Sequence, residues 1–216
     1  MPEFNLLDEN FVIAHTNKYV IYEFWRCAID DPGRVCDLAA SLYPLKEEQI
    51  FRIFQENWVK YKDPFLRSAV FFVLNRYSTH GSISTGDFKE DNFNPLALHH
   101  LRNIDLPRFH LKLDQEEDFL QSAAAIEEAD CLLFPVGAYS SNLFEEGKAA
   151  GFEETKIYHK RLGNFFKNSK KKCVLMYFKH NNLFKTYRNH NIIMINEWGK
   201  ITDKKENCKE MLIANF

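Results

Sequence analysis

The sequence predicts an α/β fold with a block of helices inserted into it. Three observations carry this expectation. Short apolar runs of strand length occur at Asn10–Thr16, Cys131–Val136 and Cys173–Phe178. Helical patterns alternate with the later runs, as they do where strands and helices share one core. Four helical patterns follow one another after the first run, before any further strand pattern.

Taken in order, Asn10–Thr16 (NFVIAHT) is the first strand. Lys18–Ile29 follows as a helix, with Val20, Phe24 and Cys27 on one face. Asp31-Pro32 opens a second helix, because proline suits the first turn, and it runs to about Tyr43. Glu47–Lys60 is a third, with Ile50, Phe51, Phe54 and Trp58 spaced for a buried stripe. Asp63-Pro64 opens a fourth, with Phe65, Ala69, Phe72 and Val73 at helical spacing. The texture changes at Ser78. Residues 78–95 (STHGSISTGDFKEDNFNP) are polar and rich in Gly, Ser, Thr and Asn, a long loop or an irregular hairpin. A loop of that length is more often functional than accidental.

Beyond it, Phe109–Leu113 alternates as a strand and Glu116–Glu128 reads as a helix. Cys131–Val136 (CLLFPV) and Cys173–Phe178 (CVLMYF) read as buried strands, with a helix over Glu153–Asn168 between them. Leu183–Asn189 is a short helix, and Ile192–Ile195 and Met211–Phe216 are two more strands. The expected arrangement is a core of parallel strands with helices inserted over roughly Asp30–Ser78.

Composition narrows the class. The chain has 216 residues, 45% of them hydrophobic and 20 of them Phe, which fits a packed core. The formal net charge is -2, without the basic excess of a dedicated DNA binder, so nucleic-acid contact would need a local patch. Five cysteines with no CxxC argue for reduced thiols rather than a zinc site or a disulfide framework. Met1–Glu9 carries no basic n-region, so no signal peptide is expected. No run reaches about 18 apolar residues, so no membrane span is expected either. The expected setting is cytoplasmic or virion-associated.

Four stretches resemble the Dam-type DNA adenine methyltransferases. Asp63–Gly81 (DPFLRSAVFFVLNRYSTHG) is similar to a family helix of the form DPFxRAxxFxxLNRxxxNG, which ends at a hairpin that enters DNA. Asp63, Pro64, Phe65, Arg67, Leu74, Asn75, Arg76, Tyr77 and Gly81 match. Phe11–Trp25 resembles the family's strand–turn–helix YxxxDxNxDLIxxY. Glu128–Val136 resembles the strand that leads into the catalytic Asp-Pro-Pro-Tyr. The run of strand, helix, strand, loop and strand from Lys172 to Phe216 resembles the family's C-terminal order. The resemblance implies a Rossmann-like methyltransferase sheet over 1–29 and 105–216. It also implies a DNA-recognition region over 30–104, with Asn75, Arg76, His80 and Gly81 as DNA-binding residues.

The departures point away from catalysis. The family's FxGxG cofactor loop has no counterpart among the eight glycines here, and there the backbone must approach S-adenosylmethionine closely. His15 stands where the family places a ribose-binding carboxylate, and imidazole lacks the bidentate geometry. The four catalytic positions read Phe134, Pro135, Val136 and Gly137. The family's carboxylate accepts a hydrogen bond from the flipped adenine's amino group, which a Phe134 ring cannot do. Tyr139 lies two residues late and keeps only a stacking role. After the hairpin, Ser82–Thr85 has no basic residue for base readout. No cofactor is therefore expected, and S-adenosylmethionine only if the chain is active.

Bland readings stand beside the sharp ones. Asn75-Arg76 suits a phosphate contact or a helix end with a surface arginine. Lys167–Lys172 (KNSKKK), to which Lys185 to Arg188 can add, suits phosphates, but a solvated helix end accounts for it as well. His99-His100 reads as a surface pair, since adjacent helical residues diverge. Tyr139 and Phe134 suit a relict pocket or a core, and for Phe134 the core is the preferred reading. Three functions follow: an inactive methyltransferase-like protein retained for binding DNA or protein, a subunit of a split adenine methyltransferase, or a structural component of a larger, possibly viral, assembly. Duplex DNA, a protein partner and a homo-oligomer are the partners to consider. If the family's first strand is missing, its neighbours should close up, with Ile13 and Leu133 on adjacent strands and the crevice beside them shut.

Overall fold

A computed structural model describes residues 10–79, 83, 86–90, 93–113, 123–137 and 159–216. Its described elements are mixed α and β, with eight α-helices and two small sheets. They fall into two units, one within Met1–Glu117 and the other within Asp118–Leu143 and Glu154–Phe216.

The first unit is built on helices α1 (Tyr19–Asp30), α2 (Pro32–Ser41), α3 (Glu48–Asn57), α4 (Pro64–Tyr77) and α5 (Leu96–Arg102), with strands β1 (Val12–Thr16) and β2 (Phe109–Leu113). The helix starts have local causes. Asp31 precedes Pro32 and its Oδ1 accepts the Arg34 N–H at 2.9 Å. Asp63 precedes Pro64 and its Oδ1 accepts the Phe65 N–H at 2.9 Å. Each side chain satisfies one of the donors that a helix N-terminus leaves open.

Helix α4 is the centre of this unit. Ser68 through Leu74 are all buried, as is Tyr77. A helix apolar on all sides is enclosed rather than laid on a core. Its Phe71 and Phe72 meet Phe24 of α1 at 5.4 and 6.4 Å between ring centroids. Trp58, in the 3-10 turn after α3, meets Phe71 at 5.5 Å. In α3 the expected stripe holds at Phe51 and Trp58, but Ile50 is exposed. Gln55 is buried in this helix and donates its amide to the carbonyls of Ile83 (2.8 Å) and Gly86 (3.1 Å). The polar stretch after α4 is an irregular hairpin where it is described. Ser78 and Phe88 form an antiparallel bridge, and the Lys89 N–H donates to the Tyr77 carbonyl at 2.8 Å.

The second unit holds α6 (Ala123–Glu128), β3 (Cys131–Gly137), α7 (His159–Asn168), β4 (Lys172–Phe178), α8 (Asn181–Thr186), β5 (Asn191–Ile195) and β6 (Glu210–Ala214). The sheet order is β3-β4-β6-β5. Cys131–Val136 and Cys173–Phe178 thus share one sheet and run parallel, whereas β6 is antiparallel to both β4 and β5. An all-parallel core is not what forms. The β5–β6 connection holds a three-residue 3-10 turn and no crossover helix, and the chain returns antiparallel. Leu162 and Phe166 of α7 are buried with Leu175 and Tyr177 of β4 and with Tyr187. The Asn215 side chain ties the sheet end to α7, accepting the Cys173 N–H at 2.8 Å and donating to the Phe166 carbonyl at 3.3 Å.

One expectation fails outright. Ile13 is in register with His110 of β2, and Leu133 with Val174 of β4, in two separate sheets. The first strand takes β2 as its parallel partner over five register pairs, in place of the strand holding Leu133. The expected helix over Glu116–Glu128 is seen from Ala123, and that over Glu153–Asn168 from His159; their first parts lie outside the described residues.

Candidate functional site

The residues matched to the Dam-type helix divide into two sets. Most of them hold the fold. Asp63 caps α4 and pairs with Arg34 at 2.9 Å. Burial pushes the Asp63 carboxyl up, but the Phe65 N–H and the Arg34 guanidinium outweigh it, so its pKa lies below the ordinary value. Arg67 forks onto the Glu23 carboxylate of α1, and its Nη1 also donates to the Tyr61 carbonyl. Leu74 is fully buried. The buried Tyr77 hydroxyl accepts the Leu45 N–H at 2.9 Å.

Asn75 and Arg76 form the second set. Both are exposed in the last turn of α4. The Arg76 guanidinium lies 5.5 Å from the Phe72 ring centroid. A cation there also complements the negative end of the helix. The hairpin positions His80 and Gly81 lie outside the described residues.

The four positions compared with the family's catalytic motif, Phe134 to Gly137, lie in β3. Phe134 is 8% exposed and meets Phe165 edge-on, with centroids 5.9 Å apart. Val136 is buried beside it in the strand pattern, and Pro135 is exposed. The register with β4 shifts between Pro135 and Gly137, and Gly137 has a φ of 73°, a left-handed conformation that suits glycine. The ladder is therefore irregular at the end of β3, within these four positions. Tyr139 lies outside the described residues. His15 is half-buried on β1, in register with Lys112. His15 and Phe134 belong to different units.

His99 and His100 are exposed on α5, with ring centroids 6.1 Å apart. Among the described residues no three His, Cys, Asp or Glu side chains gather as metal ligands. Four of the five cysteines are buried, and burial pushes the thiols of Cys27, Cys173 and Cys208 up. Among the described residues no helix is long and apolar enough to cross a membrane.

No family model matches the chain. No curated protein matches it.

Two features escaped the sequence reading. The Glu23–Arg67 pair spans 44 positions, so no local pattern announces it. His159 lies 3.1 Å from the Tyr177 hydroxyl, which is 1% exposed. Burial holds the imidazole below its ordinary pKa of 6.5. A depressed imidazole pKa means that the unfolded chain binds more protons in the window between the two values. The contribution of His159 to stability is thus present above pH 6.5 and is lost as pH falls through the folded value. His159→Leu should flatten the acid side of a melting-temperature profile against pH. An unchanged acid slope would exclude this group as its source.

Proposed function

We propose that the chain is a non-catalytic relative of the Dam-type DNA adenine methyltransferases, with a Rossmann-like second unit, retained to bind DNA through the end of α4. The burial of Phe134 carries the reading. A ring packed on Phe165 occupies the place where the chemistry needs an exposed acceptor for the adenine amino group. Loss of one such electrostatic contact costs orders of magnitude in rate. The order of strands and helices from Lys172 to Phe216 supports the resemblance. So does the use made of Asp63, Arg67 and Tyr77, which fix α4 and leave Asn75 and Arg76 facing solvent at its end.

The test has two arms. Calorimetric titration with S-adenosylmethionine should show no binding, and micromolar affinity would overturn the non-catalytic reading. Duplex DNA at low salt should bind, and Arg76→Ala with Asn75→Ala should weaken it by roughly tenfold or more, the worth of a charge-assisted hydrogen bond. Unchanged affinity in that variant would remove the end of α4 as the contact.

A second reading rests on the sheet. Among the described residues β3 ends its sheet and has a neighbouring strand only on the β4 side. A partner chain that adds a strand there, together with a cofactor loop, would make this a subunit of a split methyltransferase. Cofactor binding that appears only with a co-purified small protein would decide for it.

A further inference from the structure

The charge of this chain is segregated. From His159 to Phe216 there are 13 Lys and Arg against 4 Asp and Glu, a net of +9, within a chain whose formal total is -2. Composition over the whole length conceals this. The helical unit also handles its cations differently. Arg26, Arg34, Arg52, Arg67 and Arg102 are each paired with a carboxylate of that unit.

In the sheet unit six exposed cations make up a basic strip carried by α7 and the turn after it, by α8 and its end, and by the turn before β6: Lys167, Lys170, Lys185, Arg188, Lys204 and Lys205. The contacts that join them are specific. Lys167, at the end of α7, holds its ammonium 5.7 Å from the Tyr187 ring centroid, just beyond α8. Lys205, before β6, holds its own 4.8 Å from the Phe184 ring within α8. Lys185 lies in α8 next to Phe184, and Arg188 follows Tyr187 in the turn after it. Lys170 follows α7 in the turn that leads into β4. Among the described residues none of the six is paired with a carboxylate. By contrast Lys171, inside the same run, is tied down, its Nζ donating to the carbonyls of Glu127 (2.8 Å) and Ala129 (2.9 Å).

We propose that this strip binds the phosphate backbone of duplex DNA, a contact made by the sheet unit independently of the end of α4. Clustered lysine and arginine is the electrostatic footprint of a polyanion site, and the two carboxylates that flank Lys204 and Lys205, Asp203 and Glu206, leave the excess strongly positive. A duplex suits it better than a single strand. Recognition of single strands uses aromatic faces open to bases, whereas Tyr187 is 2% exposed and Phe184 is covered by Lys205. A lipid surface is disfavoured, because the rings within the strip, Tyr187 and Phe184, lie against its ammonium groups rather than open to acyl chains. The inference deepens the DNA-binding reading above by naming where most of the binding charge lies.

Fluorescence anisotropy with a short labelled duplex of arbitrary sequence tests it. Six phosphate contacts imply a slope of about -5 for log affinity against log salt, and about a thousandfold loss between 50 and 200 mM salt. Lys170→Ala/Lys185→Ala/Arg188→Ala should reduce that slope by about 3, and Lys46→Ala in the helical unit should leave it unchanged. Wild-type affinity and slope in the triple variant would overturn the proposal. So would binding to phosphatidylserine vesicles without binding to duplex. The two readings fail separately. Loss of binding in Arg76→Ala alone removes the strip and keeps the end of α4. Loss in the triple variant together with tight S-adenosylmethionine binding keeps the strip and removes the non-catalytic assignment.

Discussion

Replacing Glu23 with alanine is expected to destabilise the protein by about 3–5 kcal/mol, the cost of stripping a buried cation of its partner. Glu23 is 7% exposed, and its carboxylate takes both arms of the Arg67 fork and the Tyr19 hydroxyl, the latter at 2.9 Å. That hydrogen bond raises the Tyr19 pKa, as burial does to a smaller degree. Truncation leaves the Arg67 side chain, itself only 17% exposed, with the Tyr61 carbonyl as its remaining acceptor. The measurement is chemical denaturation, read as a lower midpoint at constant m value. A double variant, Glu23→Leu with Arg67→Met, should recover most of the loss, since apolar replacement of a buried pair is often neutral or stabilising. A cost under about 1 kcal/mol for Glu23→Ala would show that water reaches the pair, and that α1 and α4 are not joined as described.

Phe134→Asp should cost at least as much and should restore no methylation. The substitution removes a ring that packs on Phe165, in the range of about 3–5 kcal/mol for a large buried aromatic, and adds a carboxyl with nothing to pair it. The new carboxyl should titrate above its ordinary range, because burial disfavours the charged form. Its penalty should therefore grow as pH rises through that raised value and shrink in acid, where the group is neutral in both states. Thermal melts across pH read the first effect, and adenine methylation of duplex DNA reads the second. Detectable methylation by this single variant would reveal a cofactor site that the described residues do not suggest.

Local chemistry made much of this fold legible. The pairs Asp31-Pro32 and Asp63-Pro64 place two helix starts because one side chain caps and the next lacks the N–H that would need capping. The apolar run Cys173–Phe178 gives β4 to within one residue. Pairing was not legible in the same way. Val12–Thr16 reads as a strand from its residues, but nothing within it selects Phe109–Leu113 as its neighbour nearly a hundred positions later. Helix α5 is seven residues long, too short for its period to stand out. In the candidate site, the apolar pattern of CLLFPV foretold that Phe134 is core. The uses of Arg67 and Gln55 were hidden, because their partners lie on other elements. Most of the basic strip was legible, as KNSKKK with Lys185 to Arg188, whereas Lys204 and Lys205 were not, since nothing local links the turn before β6 to α8.

The division among the α4 residues bears on how such a chain changes over generations. Asp63, Arg67 and Tyr77 cap, pair and pin the helix, so selection for a folded protein keeps them whatever the protein does. The position of Phe134 answers to a different pressure. An aromatic ring there is rewarded by stability and a carboxylate is penalised by it, the usual opposition between a working site and a well-packed one. A lineage relieved of a reaction would therefore drift toward the ring quickly and return only through an unstable intermediate. Under the proposed reading, loss at that position would act as a ratchet, while the contacts around α4 persist for the sake of folding alone.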